Sequence, residues 1–221
     1  STPFTRSKDM RFINPKKIEH NLKNFFNLSD EFLLKRRAKR YLKKNTEREI
    51  RVLREIVDYN KASIDIGVYR GIYSYFLSEL TTFVYAFEAN PLLHEKLLSN
   101  KNVISLERTN ARYLTPEDIP DNIDILVCDV SFISLKKVLP EPIKLLSSRA
   151  DLICLIKPQF EVGKKNISKG GIVRDLQIRE DCCKDLKAWF ETIVGFKVLN
   201  IIESPIKGPK GNIEYLIHVK K

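Results

Sequence analysis

The sequence predicts an α/β fold: a doubly wound, mostly parallel seven-stranded sheet with an antiparallel last strand. Short apolar runs alternate with helical patterns through residues 46–221, which is typical of parallel sheets covered by helices. A glycine turn, Asp65-x-Gly67-x-x-x-Gly71, joins the first apolar run to the helix after it, as in nucleotide-binding folds. Only the short segment SPIKGPKGN separates the last two runs, and a connection that short joins antiparallel strands.

Seven apolar runs are the predicted strands. Each is short and is bounded by glycine, proline or polar residues, as strands of α/β sheets are. The predicted strands are Ser63–Ile66, Thr82–Phe87, Val103–Leu106, Ile123–Cys128, Leu152–Ile156, Phe196–Glu203 and Ile213–Val219. The fourth and fifth are continuous apolar runs, whereas the last two alternate between apolar and polar residues.

Capping residues and helical spacing mark the helices of the first half. The TERE sequence at 46–49 matches a capping box, so a helix leads into the first strand. Another helix follows the glycine turn, and the pair Asn90–Pro91 is a good N-cap and first turn for a helix at Leu92–Leu98. After the third strand, Thr115 starts a further turn of helix.

Two more helices are predicted in the second half. Ser134–Leu146 has a helical pattern that two prolines interrupt. Asp175 caps the strongest helical pattern of the chain, and Gly195 ends it. Between these helices, Glu161–Gly171 is a loop rich in lysine and glycine, which we expect to be a mobile segment on the substrate side.

The glycine turn and the acid after the second strand predict a cofactor site. Such glycines let the backbone pass close to a nucleotide, and an acid about 20 residues further on accepts the ribose hydroxyls. The full G-x-G-x-x-G that cradles a pyrophosphate is missing, which favours S-adenosylmethionine (SAM), a cofactor with a ribose but no phosphate. An ordinary tight turn between strand and helix is the alternative. The candidate cofactor residues here are Asp65, Gly67, Tyr69, Gly71 and Glu88.

The chain is strongly basic, with a formal net charge of +11 and a pI near 9.4. Such a charge favours a polyanionic partner, nucleic acid before a membrane surface. Residues 1–45 are predicted to form a basic N-terminal extension ahead of a single domain at 46–221. The segment 31–44 is predicted to be a basic helix with an apolar seam, either an RNA-binding surface or an ordinary solvated helix face. The candidate RNA-binding residues are Lys35, Arg36, Arg37, Lys39 and Arg40.

The cysteines and histidines show no metal-site spacing. None of the four cysteines forms a C-x-x-C pair, and all lie in strand-like or helix-like runs, so we expect reduced thiols in the core. The three histidines are too scattered for a zinc motif. No apolar run approaches the ~20 residues of a membrane span, and no signal peptide is visible. We therefore expect a cytoplasmic protein with neither a metal nor a membrane partner.

Charged residues follow two of the buried strands at the point where each strand ends. Asp129 comes directly after ILVC, and Lys157 comes directly after LICLI. Because parallel strands end at the same edge of a sheet, we expect these two side chains to meet there, with Glu214 approaching from the last strand. A lysine held beside carboxylates can act as a base or as an oxyanion stabiliser in methyl transfer to a hydroxyl. A purely structural ion pair between Asp129 and Lys157 is the alternative.

Five stretches in the second half of the chain carry a family resemblance. They are ERTNARYLTPEDIP (107–120), DILVCDVSFISLKKVLP (124–140), LIKPQFEVGKK (155–165), KGGIVRD (169–175) and SPIKGPKGNIEYL (204–216). Over about residues 103–221 the chain resembles the TlyA (haemolysin-named) rRNA methyltransferases. That family is similar to the FtsJ-type ribose 2′-O-methyltransferases, which use SAM and a Lys-Asp-Lys-Glu tetrad.

The resemblance implies roles for particular residues. Asp129, Lys157 and Glu214 match the last three members of the tetrad, and Asp129 also borders the cofactor. Asn110 and Ala111 match positions that approach the adenosine of SAM. The implied partner is RNA, with ribosomal RNA as the first candidate.

Residues 47–100 depart from the TlyA pattern. They lack the SRGG-x-KL segment that supplies the first tetrad lysine, and the S4-type RNA-binding module of that family is not found. The stretches EREIRVL, IDIGVYRGIYSYFLS, VYAFEANP and LLSN instead resemble the FkbM methyltransferases, which act largely on hydroxyls of sugars and other small molecules. Lys44 lies about as far before the first strand as the family lysine does, and it is the candidate for that role.

Three functions are therefore open. The first is a SAM-dependent 2′-O-ribose methyltransferase of RNA, which the second half of the chain and its charge favour. The second is an FkbM-like O-methyltransferase of a sugar or small molecule. The third is a non-catalytic RNA-binding protein with a vestigial SAM pocket. This interpretation is favoured because neither the first tetrad lysine nor the S4-type RNA-binding module is found.

Overall fold

The structure is a computed structural model that describes residues 35, 38, 39, 53, 55–57, 60–68, 71–88, 100–106, 109–192 and 196–221. Seven strands form one sheet. They are Ala62–Ile66 (β1), Val84–Phe87 (β2), Val103–Ser105 (β3), Ile123–Cys128 (β4), Leu146–Ile156 (β5), Lys197–Glu203 (β6) and Tyr215–Lys220 (β7). The prediction of a seven-stranded α/β sheet is confirmed.

The strand order is β3-β2-β1-β4-β5-β7-β6. The β1, β2, β3, β4 and β5 strands pair in parallel, whereas β7 is antiparallel to both of its neighbours. The predicted antiparallel last strand is therefore confirmed. The order reverses at β1 and β4, and in sheets of this type a ligand crevice opens at that point, beyond the carboxyl ends of the strands.

Four α-helices have both of their ends within the described residues, and further helical residues lie at 35, 38, 39, 53, 55 and 56. The four helices are Ile72–Leu80 (α1), Leu135–Val138 (α2), Pro158–Glu161 (α3) and Leu176–Glu191 (α4). Single 3₁₀ turns lie at Ala111–Tyr113, Pro142–Leu145, Lys164–Asn166 and Pro209–Gly211. The predicted N-cap of α4 is present, since Asp175 accepts the backbone N–H of Gln177 at 2.8 Å.

Several strand ends differ from the predictions by one or two residues, and three elements differ by more. The helix predicted from Thr115 is wrong: the Asp118 carboxylate accepts the backbone N–H of Thr115 at 2.9 Å, and this bond closes a non-helical turn. The helix predicted over residues 134–146 is broken into α2 and a 3₁₀ turn, because proline lacks the N–H that an α-helix needs. The β5 strand starts at Leu146 rather than at the predicted Leu152. The prediction missed its first part because residues 147–149 are polar, and the strand was recognised only by its run of apolar residues.

Some predicted elements lie outside the described residues. They are the capping box at 46–49, the helix at Leu92–Leu98 and the helix end at Gly195.

The core consists of two apolar layers, one on each face of the sheet. Successive residues of β4 alternate between them, so that Leu126 belongs to one layer and Val127 to the other. One side of α4 packs into the first layer through Leu186 and Phe190, and Leu77 of α1 packs into the second. Burial on both faces explains why the central strands are continuous apolar runs.

The four cysteines are buried and form no disulfide. Cys128 and Cys154 lie side by side on β4 and β5. Cys182 and Cys183 lie in α4, where burial raises the pKa of the Cys182 thiol to about 12. The prediction that these residues are core thiols is confirmed. Among the described residues, the structure contains no helix with both the length and the apolar character needed to cross a membrane.

Candidate active site

The end of β1 and the end of β4 are in direct contact at the crevice. The backbone N–H of Asp129 donates to the carbonyl of Ile66 at 2.8 Å. Gly67 lies beside this bond with a φ of +87°, and a Cβ atom on it would overlap the carbonyl oxygen of Asp129. A glycine is therefore required at this position both for its backbone conformation and for the approach of the two chains.

Asp129 and Lys157 form an ion pair at this edge. The Lys157 Nζ lies 2.6 Å from Asp129 Oδ1 and donates to the Ser131 hydroxyl at 3.0 Å. The side chain of Lys157 is 11% exposed and that of Asp129 is 36% exposed, so one partner is nearly buried and the other faces the crevice. The structure thus brings together the two residues that the strand ends predicted.

Glu214 reaches the same edge from the antiparallel strand. The pairing of Ile156 with Tyr215 makes Lys157 and Glu214 the next positions along β5 and β7. The Glu214 carboxylate is buried and accepts a hydrogen bond from Gln159 Nε2 at 2.9 Å. Burial raises its pKa, although the Gln159 hydrogen bond and the Lys157 charge oppose that rise. Glu214 was predicted to lie at the beginning of the last strand, and in the structure it directly precedes β7.

The cofactor half of the crevice holds several carboxylates. Asp65 is buried in β1 and accepts the Ser74 hydroxyl of α1 at 2.6 Å. Burial raises the pKa of Asp65 to about 7; the Ser74 hydrogen bond opposes the rise, while the charges of Asp129 and Glu88 add to it. The three carboxylates are therefore close enough for their charges to interact, and hydrogen-bond acceptors of this kind suit a ligand with positive charge and hydroxyl groups.

The remaining predicted cofactor residues are placed as follows. Gly71 precedes α1 with a φ of +73°. Asn110 caps the 3₁₀ turn at 111–113 and accepts the backbone N–H of Arg112 at 3.1 Å, while Ala111 is buried. That turn packs against α2, the helix that follows the Asp129 loop. Tyr69 lies outside the described residues.

The loop after Asp129 contains residues that the sequence analysis did not single out. Phe132 has a φ of +66° and is 88% exposed, and its ring centroid is 4.9 Å from that of Phe160. Positive φ is rare for a bulky residue, and it persists only where the surroundings impose it. Phe132, Ser131 and Gln159 all lie within three residues of Asp129 or Lys157, and this proximity in the CDVSF and IKPQF motifs was the available signal.

The predicted RNA-binding residues are described only in part. Lys35 and Lys39 are helical and exposed, and Ala38 between them is buried against Ile72 and Phe76 of α1. Arg36, Arg37, Arg40 and the candidate tetrad residue Lys44 lie outside the described residues. The roles of these residues, and the division of the chain at residue 45, stay predictions.

The strand order, the glycine turn and the charged sheet edge define a class I methyltransferase fold. Residues 42–221 match the FtsJ-like methyltransferase family, and the chain belongs to that family. The match includes residues 47–100, the stretch with an FkbM resemblance.

Individual relatives support a TlyA-type member of the family. The chain is 42% identical over 124 residues to the 16S/23S rRNA (cytidine-2′-O)-methyltransferase TlyA of Mycobacterium tuberculosis, a match that covers 56% of this chain and 46% of that relative. It is 42% identical over 165 residues to Hemolysin A of Brachyspira hyodysenteriae, covering 72% of this chain and 67% of that protein. The chain thus spans about half the length of the M. tuberculosis relative.

Solved structures of two haemolysin-named proteins agree with this assignment. One, from Streptococcus thermophilus, is 31% identical with a TM-score of 0.68, and the match covers 98% of this chain and 69% of that one. The other, from Lactococcus lactis, is 31% identical with a TM-score of 0.70, and the match covers 77% of this chain and 84% of that one. The predicted family and fold class are confirmed.

Proposed function

We propose that this protein transfers a methyl group from SAM to the 2′-hydroxyl of a ribose in RNA, with ribosomal RNA as the first candidate. The observation that carries the proposal is the Asp129–Lys157 ion pair, with Glu214 next to Lys157 at the same sheet edge. The family match and the name of the M. tuberculosis relative, an rRNA (cytidine-2′-O)-methyltransferase, support the same reaction. An rRNA substrate would place the enzyme in the cytoplasm.

The carboxylates of the crevice are the groups that would hold SAM. Glu88 follows β2 and is in the position from which an acid accepts ribose hydroxyls. Asp129, whose side chain is partly exposed, supplies negative charge near a cationic ligand, and Asn110 and Ala111 border the crevice on the α2 side. When bound, SAM supplies an electrophilic methyl group on a positively charged sulfur.

Lys157 is the residue that acts on the attacking hydroxyl. A lysine ammonium has three N–H donors. The Ser131 hydroxyl accepts one of them, and Asp129 Oδ1 lies 2.6 Å away as the ion-pair partner, so N–H groups remain for the ribose oxygen. In its charged form Lys157 stabilises negative charge as it develops on that oxygen, and in its neutral form it accepts the hydroxyl proton.

Phe132 gives the site a surface for a nucleobase. Its exposed ring lies on the loop between Asp129 and α2, one residue from Ser131. Aromatic side chains bind unpaired RNA bases by stacking, and this contact is largely independent of base identity. We infer that Phe132 stacks on a base whose ribose is presented to Lys157.

The test is transfer of a labelled methyl group from SAM to total ribosomal RNA by the wild type, by Lys157→Ala and by Lys184→Ala. Lys184 is a lysine of α4 whose side chain is 69% exposed, so it controls for the loss of a charge. We expect alkali-resistant labelled dinucleotides with the wild type and the control, and a loss of at least about a hundredfold with Lys157→Ala.

Calorimetry with SAM separates catalysis from cofactor binding. The proposal requires that Lys157→Ala binds SAM with an affinity close to that of the wild type. If the wild type binds SAM but labels no RNA, the acceptor is a sugar or small molecule, or the protein is not an enzyme. If Lys157→Ala loses SAM binding, the ion pair is structural.

A further inference from the structure

Two lysine-rich loops flank the proposed active site, and the reaction itself uses neither. The first, residues 162–174, joins α3 to α4, and the second, residues 204–213, lies between β6 and β7. We call them together the twin-loop surface. Because α3 starts directly after Lys157 and β7 directly after Glu214, both loops begin or end at the catalytic edge.

The twin-loop surface is rich in cations. Acids border the two loops, at Glu161 and Asp175 for the first and at Glu203 and Glu214 for the second, but between these borders neither loop contains an aspartate or a glutamate. The cations, all exposed, are Lys164, Lys165, Lys169, Arg174, Lys207 and Lys210. Within the described part of the chain, none of the six forms an ion pair. On α4, by contrast, Lys184 and Lys187 each pair with an acid of the same helix.

Hydrogen bonds join the two loops into one unit. The Asn212 side chain is buried between them, donates to the carbonyl of Gly171 at 2.9 Å and accepts the backbone N–H of Val173 at 3.2 Å. Lys210, which has a φ of +61°, donates from Nζ to the carbonyl of Gly170 at 2.9 Å. These bonds tie the backbones of the two loops together, so their cations belong to one connected unit.

The twin-loop surface is also coupled to the catalytic carboxylate. Gly208 packs so closely on Glu214 that a Cβ atom at position 208 would overlap the carboxylate. The backbone of Ser204 donates to the carbonyl of Glu214 at 2.8 Å. A ligand that lies across these loops therefore also lies next to Glu214.

We propose that the twin-loop surface binds the phosphodiester backbone of the RNA strand beside the nucleotide that is methylated. This inference rests on the proposed function, because it assumes that RNA is the partner. Exposed, unpaired cations bind phosphates through charge, and such binding is independent of sequence and weakens steeply with salt. The loops therefore supply affinity and orient the strand, whereas the residues at the sheet edge carry out the reaction.

The experiment compares triple variants by fluorescence anisotropy with a labelled single-stranded uridylate 20-mer in 50–300 mM KCl. The test protein is Lys164→Ala/Lys165→Ala/Lys207→Ala. The matched control, Lys144→Ala/Lys184→Ala/Lys187→Ala, removes the same charge from lysines that are already paired. A Lys→Arg triple at 164, 165 and 207 retains the charge and separates the loss of charge from the change of side chain, and urea unfolding of the test protein checks its fold.

We expect the test protein to bind RNA at least about tenfold more weakly at low salt. The slope of log affinity against log salt should become shallower by about 2, because three phosphate contacts are lost and each contact with a single strand contributes about 0.7. The control and the arginine triple should retain the affinity of the wild type. Equal affinity and slope in the test and control proteins would overturn the proposal. The proposal would also be overturned if the test protein kept its affinity for RNA and lost affinity only for vesicles of anionic lipid, because the loops would then bind a membrane surface.

Methyl transfer separates this proposal from the function on which it rests. At saturating RNA we expect the test protein to retain its kcat and to show a raised KM. If the wild type transfers no methyl group but the test protein alone loses RNA binding, the surface is supported and the reaction is wrong. If transfer is normal in the test protein at every RNA concentration, the reaction stands and the surface is wrong.

Discussion

Gly208 and Gly163 have nearly the same backbone conformation but different neighbours. Gly208 has φ −67° and ψ 179°, and Gly163 has φ −63° and ψ 154°, values that any residue adopts. A Cβ atom at 208 would overlap the Glu214 carboxylate, whereas nothing lies within 4 Å of one at 163. The pair therefore isolates the position of Glu214 from any effect of the backbone.

We predict that Gly208→Ala lowers kcat by tenfold or more, because the added methyl group displaces Glu214 from its place beside Lys157. SAM affinity should not change, since the cofactor residues lie on the other half of the crevice. Single-turnover methyl transfer and calorimetry measure the two quantities, with Gly163→Ala as the control. Equal rates for the two alanine variants would show that the position of Glu214 does not matter.

Asp65 predicts a pH dependence of stability. Its pKa is about 7 in the folded protein, against 3.8 for an ordinary aspartate, so between these values the folded state holds a proton that the unfolded state has lost. Stability then falls as pH rises from about 4 to about 7, and this group contributes at most about 4 kcal/mol to the fall. Asp65→Asn removes the titration and retains an acceptor for Ser74.

Urea unfolding of the wild type and of Asp65→Asn from pH 4 to pH 8 measures this effect. We expect the free energy of unfolding of the variant to rise relative to that of the wild type as the pH increases through this range. Glu180→Gln, a change at an exposed position of α4, should run parallel to the wild type. Parallel curves for Asp65→Asn as well would mean that Asp65 titrates like an exposed carboxylate.

The residues of the site differ in how far the sequence could predict them. Asp129 and Lys157 were predictable because each ends a buried strand, and parallel strands end at one edge. Gln159 and Gly208 were not, because their contacts with Glu214 depend on how a loop between two antiparallel strands folds back. No periodicity in the sequence encodes that contact.

At the scale of elements, Glu161 connects the two segments that carry the ion pair. It ends α3, which follows Lys157, and caps α2, which follows the Asp129 loop. Its carboxylate accepts the Ser134 hydroxyl at 2.6 Å and the backbone N–H of Leu135 at 2.8 Å. Since α2 has only four residues, this contact and the N-cap Ser134, which accepts the backbone N–H of Lys136, hold its first turn rather than helix propensity.

We predict that Glu161→Ala destabilises the protein by about 1–3 kcal/mol, because it leaves two partly buried donors without their charged acceptor. It should also lower kcat, because the loop that carries Ser131 loses its anchor. Glu161→Gln retains one acceptor and should lose less on both measures. Urea unfolding and single-turnover transfer test this, and wild-type behaviour of Glu161→Ala would contradict it.

Prediction was weakest for the short elements around the site. The helix predicted over 134–146 contained too many prolines to continue, and the short helix that forms instead depends on a cap 26 residues away. The start of β5 at Leu146 was hidden because its first residues are polar. In both cases a tertiary contact rather than a local pattern decides where the element begins.

At the scale of the whole molecule, the order and direction of the strands were the most predictable features. Alternating apolar runs and helices leave few arrangements, and the short last connection forces one antiparallel pair. Surface charge was predictable in amount and only partly in location. The net charge of +11 indicated a polyanion. The sequence offered residues 31–44 as an RNA-binding surface or a solvated helix face, and it placed the lysine-rich loop Glu161–Gly171 on the substrate side. The structure joins that loop to residues 204–213 in the twin-loop surface.

These two basic segments predict additive binding of RNA. Lys35 and Lys39 are exposed on a helical segment that Ala38 anchors to α1, and α1 follows β1 on the cofactor side of the crevice. If each segment contacts its own phosphates, Lys35→Ala/Lys39→Ala should lower the salt slope by about 1.4, and its effect on log affinity should add to that of the twin-loop triple variant. Anisotropy of the double, triple and combined variants measures this, with Lys35→Arg/Lys39→Arg as the charge-preserving control. An unchanged affinity in the double variant would mean that these two lysines form a solvated helix face. If the combined variant lost less log affinity than the double and triple variants lose in sum, both segments would compete for the same phosphates.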